Sequence, residues 1–478
     1  MFQIMRFKGI LESQKGRMMS NTVGKTTATV SAMIEATTKG RALMGGTAAM
    51  RRAGEAYLPR FDAESAEAYA KKLQRSTLFE AFPRAVEQMT GKVFSQPVEV
   101  IDAPEQMNDW AQNIDMQGRD LSTFALEVFR DAFVSGVSYI MVEAPRRDAE
   151  TTRQQAAEMG LRPYLVHLQV EEILGWKTAL FGNHLALSQL RIMENLTEQD
   201  PSDEFSTVEV EQVRVLDRLP NSVQVRLYRK GKKEEWVLVD EYLTEAPEIT
   251  VIPYYAKRTG FFTGKPPLEG MVDVNISHWQ LQSGIRNNSH YSLIPVMLLT
   301  GFDDETEMVL SSSMAMTSRN AEADAKWVST DTAAVTTAQA LLKDLEDQMQ
   351  ELGLQLTAKR VVNESATGAA LAAGKETSTL AMMADSLKDA LEQAMVWVAF
   401  YGGLGEQSIT VDVNKEFGVT PMQANDVTAL LTAVTTGNLS QTTFINELAR
   451  RNFISPDIIA EDEIDAIDFE EPDLGDSA

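Results

Sequence analysis

The chain has 478 residues and a mass of 52.9 kDa, enough for about three domains and a sizeable core. Apolar residues at 44% and charged ones at 24% are globular proportions, which excludes general disorder, and the absence of Cys excludes a disulfide framework, a thiolate zinc site and a cysteine nucleophile. Lys and Arg number 44 against 69 Asp and Glu, a formal charge of −25, so the surface repels phosphate on average and a tight, non-specific duplex binder is not expected.

Residues 1–60 carry ten Lys or Arg against Glu12, Glu35 and Glu55, and Ser20 to Thr47 is dense in Ser, Thr, Gly and Ala. That composition predicts a basic, flexible, poorly packed arm over 1–56. The start, Met1-Phe2-Gln3-Ile4-Met5-Arg6, lacks the apolar run of a secretory signal, and the best apolar stretch, Tyr291 to Phe302, is too short for a membrane helix and contains Pro295. A soluble protein made in a cytoplasm is the expectation.

Two amphipathic stretches, Phe61 to Gln74 and Leu78 to Met89, predict helices, as does Leu121 to Val134. The period then falls from 3.6 to 2. Strands are predicted over Val137 to Val142, Pro163 to Leu168, Val208 to Val215, Val223 to Tyr228, Trp236 to Val239 and Ile249 to Tyr255.

After Gly264-Lys265-Pro266-Pro267, the residues Leu268, Val272, Ile276 and Trp279 recur at helical spacing and predict a helix to about Ser292, some 37 Å long. Pro295 to Thr330 reads as irregular, with acids at Asp303, Asp304, Glu305 and Glu307. Leu341, Leu345, Met349, Leu352 and Leu356 trace a second long helix. Ala358 to Glu376 reads as a flexible basic loop with Lys359, Arg360 and Lys375, and a third long helix is expected from Thr379 to Tyr401. Short helices follow at Asn425 to Gly437 and Thr442 to Arg450, and Glu461 to Ala478, with nine acids and no base, reads as a mobile acidic tail. The fold class is therefore α+β and mainly helical.

Chemistry-bearing motifs are sparse. Gly24-Lys25-Thr26 resembles the end of a phosphate-binding loop, but the first Gly of that motif is replaced by Met19. His167, His184, His278 and His290 lack zinc-protease spacing, and Gly-x-Ser-x-Gly is absent. No cofactor or metal is expected. Adjacent carboxylates are too numerous among 69 acids to single out a catalytic pair.

Several strings in order resemble the portal proteins of tailed bacteriophages, in a branch with a compact α/β wing. They are Tyr57-Leu58-Pro59, Gly91-Lys92-Val93-Phe94, Arg162-Pro163-Tyr164 with Ile173 and Trp176, Ile252-Pro253, and Pro266-Pro267-Leu268 with Asn275, His278 and Gly301. The likeness spans Tyr57 to Tyr401, and Trp279 stands where Tyr is expected.

That resemblance implies a homo-oligomeric ring, usually of twelve copies, at one capsid vertex of the virion, through which double-stranded DNA is packaged and ejected. It implies a wing over 57–264, stem helices over 265–292 and 334–357, a clip over 293–333, a tunnel loop over 358–376, a wing return helix over 377–412 and a crown over 413–460. The implied partners are the terminase large subunit, a head–tail adaptor, and the major capsid and scaffold proteins, with assembly in the host cytoplasm and no membrane. Asp303, Asp304, Glu305 and Glu307 would dock partners, and Lys359, Arg360 and Lys375 would meet passing DNA, although cations that merely solubilise a loop fit the sequence equally.

The stripes Leu268, Val272, Ile276, Trp279 and Leu341, Leu345, Met349, Leu352 are compatible with packing between ring neighbours and equally with an ordinary intramolecular core. Two other readings stay open: a soluble enzyme using acidic residues, and another virion adaptor or scaffold component.

Overall fold

The computed structural model describes residues 22–145, 159–200, 202–231, 235–292, 296–301, 320, 322–328, 332–354, 379–405, 408–415, 424–450, 454 and 458–470. It divides into two compact units, residues 1–414 and 415–478. The first unit is mixed α/β.

Its N-terminal part departs from the expected loose arm. Helices α1 (Ala28–Met44) and α2 (Gly46–Ala53) bury Val30, Met33, Thr37, Gly40 and Leu43 at spacings of three and four, and Met50 after them. The small residues that suggested flexibility allow close packing, since a Cβ on Gly40 would lie 3.1 Å from Cγ1 of Val134. A short 3₁₀ turn at Gly54–Ala56 leads to α3 (Ala66–Arg75), whose N-cap Ser65 accepts from the Ala68 amide, and then to α4 (Ala81–Val93). The short elements β1 (Glu99–Ile101) and α5 (Glu105–Ala111) precede α6 (Leu121–Ser135).

Helix α6 begins at Asp120, whose side chain accepts from the Thr123 amide at 2.8 Å, and stops at Gly136, which adopts φ +84°. Gly136 also touches the backbone of Lys265, where any Cβ would intrude to 2.2 Å. The chain turns there into β2 (Val137–Glu143), buried on both faces. Strand β2 lies between β3 (Tyr164–Leu168) and, after a long excursion, a later strand β9 (Val251–Tyr255), in the order β3-β2-β9.

That excursion is an antiparallel five-stranded meander: β4 (Ile173–Phe181), β5 (His184–Gln199), β6 (Thr207–Arg218), β7 (Val223–Lys230) and β8 (Trp236–Thr244). Strands β4 and β5 were not expected from the sequence. The far half of β5 is polar and solvent-facing, so its alternation is weak, although the two-residue Gly182-Asn183 turn, with Gly182 at φ +62°, is a hairpin signal. Then come β9 (Val251–Tyr255), β10 (Arg258–Gly260) and β11 (Thr263–Gly264). Val137, Tyr139 and Met141 meet Leu190, Ile192, Leu216, Val223 and Val225 in one apolar core between the two sheets.

Helix α7 (Glu269–Ser292) leads to β12 (Val296–Thr300), which pairs with β13 (Asp324–Val328) from Val296 opposite Val328 to Thr300 opposite Asp324. The region expected to be irregular thus contains a two-stranded ribbon. Helix α8 (Thr332–Leu354) follows, then α9 (Thr379–Gly402), which buries Leu380, Met383, Leu387, Leu391, Ala394 and Val398 as the periodicity predicts. Strand β14 (Thr410–Asp412) pairs with β1.

The second unit holds α10 (Ala424–Thr435), α11 (Gln441–Arg450) and α12 (Ala460–Glu470), with α11 and α12 in contact. Residues 460–470 therefore correct the expectation of a mobile acidic tail. Glu461, Asp462 and Glu463 sit in the first turn, where unsatisfied amides and the helix dipole favour negative charge.

Candidate functional site

The long helices α7 and α8 form an antiparallel hairpin with the β12–β13 ribbon at its far end. The register is fixed at two points: a Cβ on Gly353 would lie 3.5 Å from the Met271 methyl, and seven residues on along α7 and back along α8, His278 Nε2 is 3.2 Å from Glu346 Oε1. At 24 and 23 residues, each helix is roughly 35 Å long at 1.5 Å per residue.

The base of the hairpin is built into the body. Leu268, Val272, Ile276 and Trp279 are buried against their own chain, where α7 meets α1, α3 and α4. Asn275 is fully buried among them, donating to the Phe79 carbonyl at 2.8 Å and accepting from the Phe82 amide at 3.0 Å. It satisfies a donor that the first turn of α4 would otherwise leave orphaned. His278 is equally enclosed, 4.9 Å from the Phe79 ring centre, and burial lowers its pKa while Glu346 pulls it partly back.

On α8, Met349 is buried, Leu345 and Leu352 are half-buried, and Leu341 is 51% exposed. Five of the eight stripe residues are thus occupied by intramolecular packing, because the α1, α3 and α4 helices cover the face that the sequence alone left open. Leu341 keeps its apolar side chain open to solvent. Asn275 and His278 had drawn notice only as parts of a matching string, with no role attached.

Lys359, Arg360 and Lys375 lie outside the described residues, between the end of α8 and the start of α9. Asp303, Asp304, Glu305 and Glu307 also lie outside them, between β12 and β13. Gly301, at φ +76°, closes the described end of β12 and packs on Asn320 and Ala323.

A polar cluster that no motif announced joins α1, α6 and the three-stranded sheet. Arg41 reaches Asp131 at 2.5 Å and Glu171 at 2.8 Å, Asp131 lies 3.6 Å from His167 Nε2, and Ser138 Oγ is 2.6 Å from that same nitrogen. A Ser-His-Asp relay needs the hydroxyl and carboxylate on opposite ring nitrogens. Here both crowd one, and Ser138 is wholly buried, so the geometry is that of a structural clamp. Burial alone would raise the Asp131 pKa, but His167 and Arg41 together hold it below the usual carboxylate value. Its members are drawn from positions 41 to 171, and only the folded chain brings them together.

A cavity of about 280 Å³ opens between the sheets, lined by Glu143, Arg214, Tyr242, Thr250 and Tyr401 among others. Arg214 pairs with Glu143 and, at 2.5 Å, with Glu194, while Tyr164 donates to Glu143 at 2.8 Å. One guanidinium thus stands between two carboxylates in the wall. Among the described residues no cluster of three or more potential metal ligands occurs, and no helix is long and apolar enough to cross a membrane.

A family described as a domain of unknown function (DUF4055) matches residues 267–402, the span of α7 through α9. No curated protein matches. Among solved structures, the neck of a native GTA particle computed with C12 symmetry is similar at TM-score 0.38 and 12% identity, covering 82% of this chain and 96% of that one. The neck of an empty GTA particle computed with C6 symmetry is similar at TM-score 0.37 and 11% identity, covering 83% and 96%.

Proposed function

We propose that the chain is the repeating subunit of a phage-type portal, a ring of about twelve copies at a capsid vertex through which DNA enters and leaves. The observation that carries this reading is the α7–ribbon–α8 hairpin: two rods of nearly equal length rooted in an α/β body and bearing a small β tip. It matches the stem-clip-stem plan that the ordered sequence strings imply. In this reading the body around the two sheets is the wing, α9 is the return helix, and the helices of 424–470 belong to the crown.

The ribbon and the acids between its strands would face the terminase large subunit during filling and a head–tail adaptor afterwards. Capsid and scaffold proteins would meet the outer body. A net charge of −25 per copy suits a conduit that must release its cargo, and Lys359, Arg360 and Lys375 would supply weak, salt-sensitive phosphate contacts.

Native mass spectrometry and particle imaging of the purified protein test the proposal. The expected species has a mass near twelve times 52.9 kDa and a central opening. A protein that stays monomeric with and without capsid partners, or a closed particle without an opening, would overturn it.

A further inference from the structure

The cavity between the sheets has a floor and a rim of opposite character. Met141, Leu216, Val223, Val225 and Ile249 line its floor, and all five belong to the apolar core that joins the two sheets. The rim is built where elements end. Glu143 closes β2, Glu245 and Glu248 lie on the link from β8 to β9, and Tyr401 comes from the last turn of α9. At about 280 Å³ the space equals roughly nine volumes of liquid water, which suits a ligand of about nine heavy atoms and is too small for a nucleotide.

The rim is electronegative. Arg214 in the lining stands between Glu143 and Glu194, and Arg218, behind the lining, pairs with Glu248 at 3.2 Å. Glu245 is exposed, with no ion pair or hydrogen bond among the described residues. Glu143, Glu194, Glu245 and Glu248 therefore exceed Arg214 and Arg218 by two negative charges. Both guanidiniums are already engaged by carboxylates, so neither is offered to an anion. A carboxylate beside an apolar floor attracts a cation more strongly than one in bulk water does. Burial raises the pKa of Tyr401, which keeps its oxygen a neutral hydroxyl that can accept from an ammonium. A bare metal ion would leave the apolar floor uncovered.

We propose that this cavity binds an alkylammonium: an unbranched aliphatic chain of about five carbons lies on the floor, and its ammonium group meets Glu245 and Glu248 at the rim. The chain buries apolar surface against Leu216, Val223 and Val225, while the charged head keeps contact with water and carboxylate. Two sources share this chemistry, a free aliphatic diamine and the side chain of a lysine on another protein, each charged at neutral pH. Every residue of the site belongs to one chain, so a single subunit binds without ring assembly.

Ligand-observed NMR titration of the full chain with pentylammonium, pentanol and pentanoate tests the site. The ammonium should bind at least about tenfold more tightly than the alcohol, and the carboxylate should bind more weakly than either. Glu245→Gln, at an exposed position outside the core, should weaken the ammonium at least about fivefold without moving the thermal melt. Ala144→Trp, on the half-buried rim, should block binding by filling the mouth. Absence of ammonium binding, equal affinity for ammonium and alcohol, or full affinity in both folded variants would overturn the proposal. Titration with cadaverine and with a lysine amide separates the sources. Tighter binding of cadaverine assigns a free diamine, tighter binding of the lysine amide assigns a lysine on a partner, and failure of both to bind would overturn the proposal.

Discussion

His278 sits at a point where a single proton changes the balance of the hairpin. Its folded pKa is lowered by burial, so between its ordinary value near 6.5 and that lower value the unfolded chain binds more protons than the folded one. Stability then falls as pH drops below about 6.5. Thermal melts at pH 7.5 and 5.5 should show a smaller loss for His278→Gln than for the parent, and identical losses would mean that this ring does not titrate on unfolding. Asp131 works in the opposite sense. Its folded pKa is lowered, so its contribution is complete above the usual carboxylate value and is lost only as pH falls through the lower one. Asp131→Asn, which leaves Arg41 and His167 without that carboxylate, should cost about 3 kcal/mol in denaturant unfolding at pH 7. An unchanged midpoint would show that the clamp adds nothing to the stability of the N-terminal helix.

Among the elements, the long helices were legible because an apolar stripe over six turns has only one reading. The boundaries of α7, α8 and α9 fall within a few residues of those the stripe predicts. Segments whose patterning is weak were not legible. Helix α1 hides its core face behind Thr37 and Gly40, which look like loop residues in sequence and serve as close-packing positions in the fold. Strand β5 has no buried residue over its far half to impose alternation. Gly136 joins α6 to β2 through its positive φ and lies against the Lys265 backbone. Gly136→Ala should therefore destabilise the protein by more than the ~1 kcal/mol of an ordinary Gly-to-Ala conflict, measurable by urea unfolding. A neutral outcome would mean that the α6–β2 corner relaxes freely.

At the scale of the whole molecule, patterning alone does not decide between an internal core and a contact between copies, because both bury the same apolar stripe. The folded chain separates them residue by residue. Met349 is 1% exposed and Leu341 is 51% exposed on the same helix. Leu341→Asp should leave the monomer folded and weaken ring assembly, whereas Met349→Asp should unfold the hairpin by burying an unpaired charge. Circular dichroism together with native mass spectrometry distinguishes the two, and normal rings from Leu341→Asp would remove α8 from the subunit contact. Joint neutralisation of Lys359, Arg360 and Lys375 should alter DNA retention without changing ring mass, and unchanged DNA content would take these cations out of the mechanism. The proposed partner-docking and DNA-facing residues rest on family likeness alone, since a run of like charges carries no pattern that fold physics can read.

The anchors on α7 run along most of its length. Asn275 clasps the root of the rod to Phe79 and Phe82, His278 braces it against Glu346, Gln280 donates to the Tyr57 carbonyl at 3.0 Å, Arg286 donates to the Thr77 hydroxyl, and Arg75 donates to Asn287 at 3.4 Å. A load applied at the ribbon is therefore passed sideways into the helical layer at successive turns instead of arriving at the root alone.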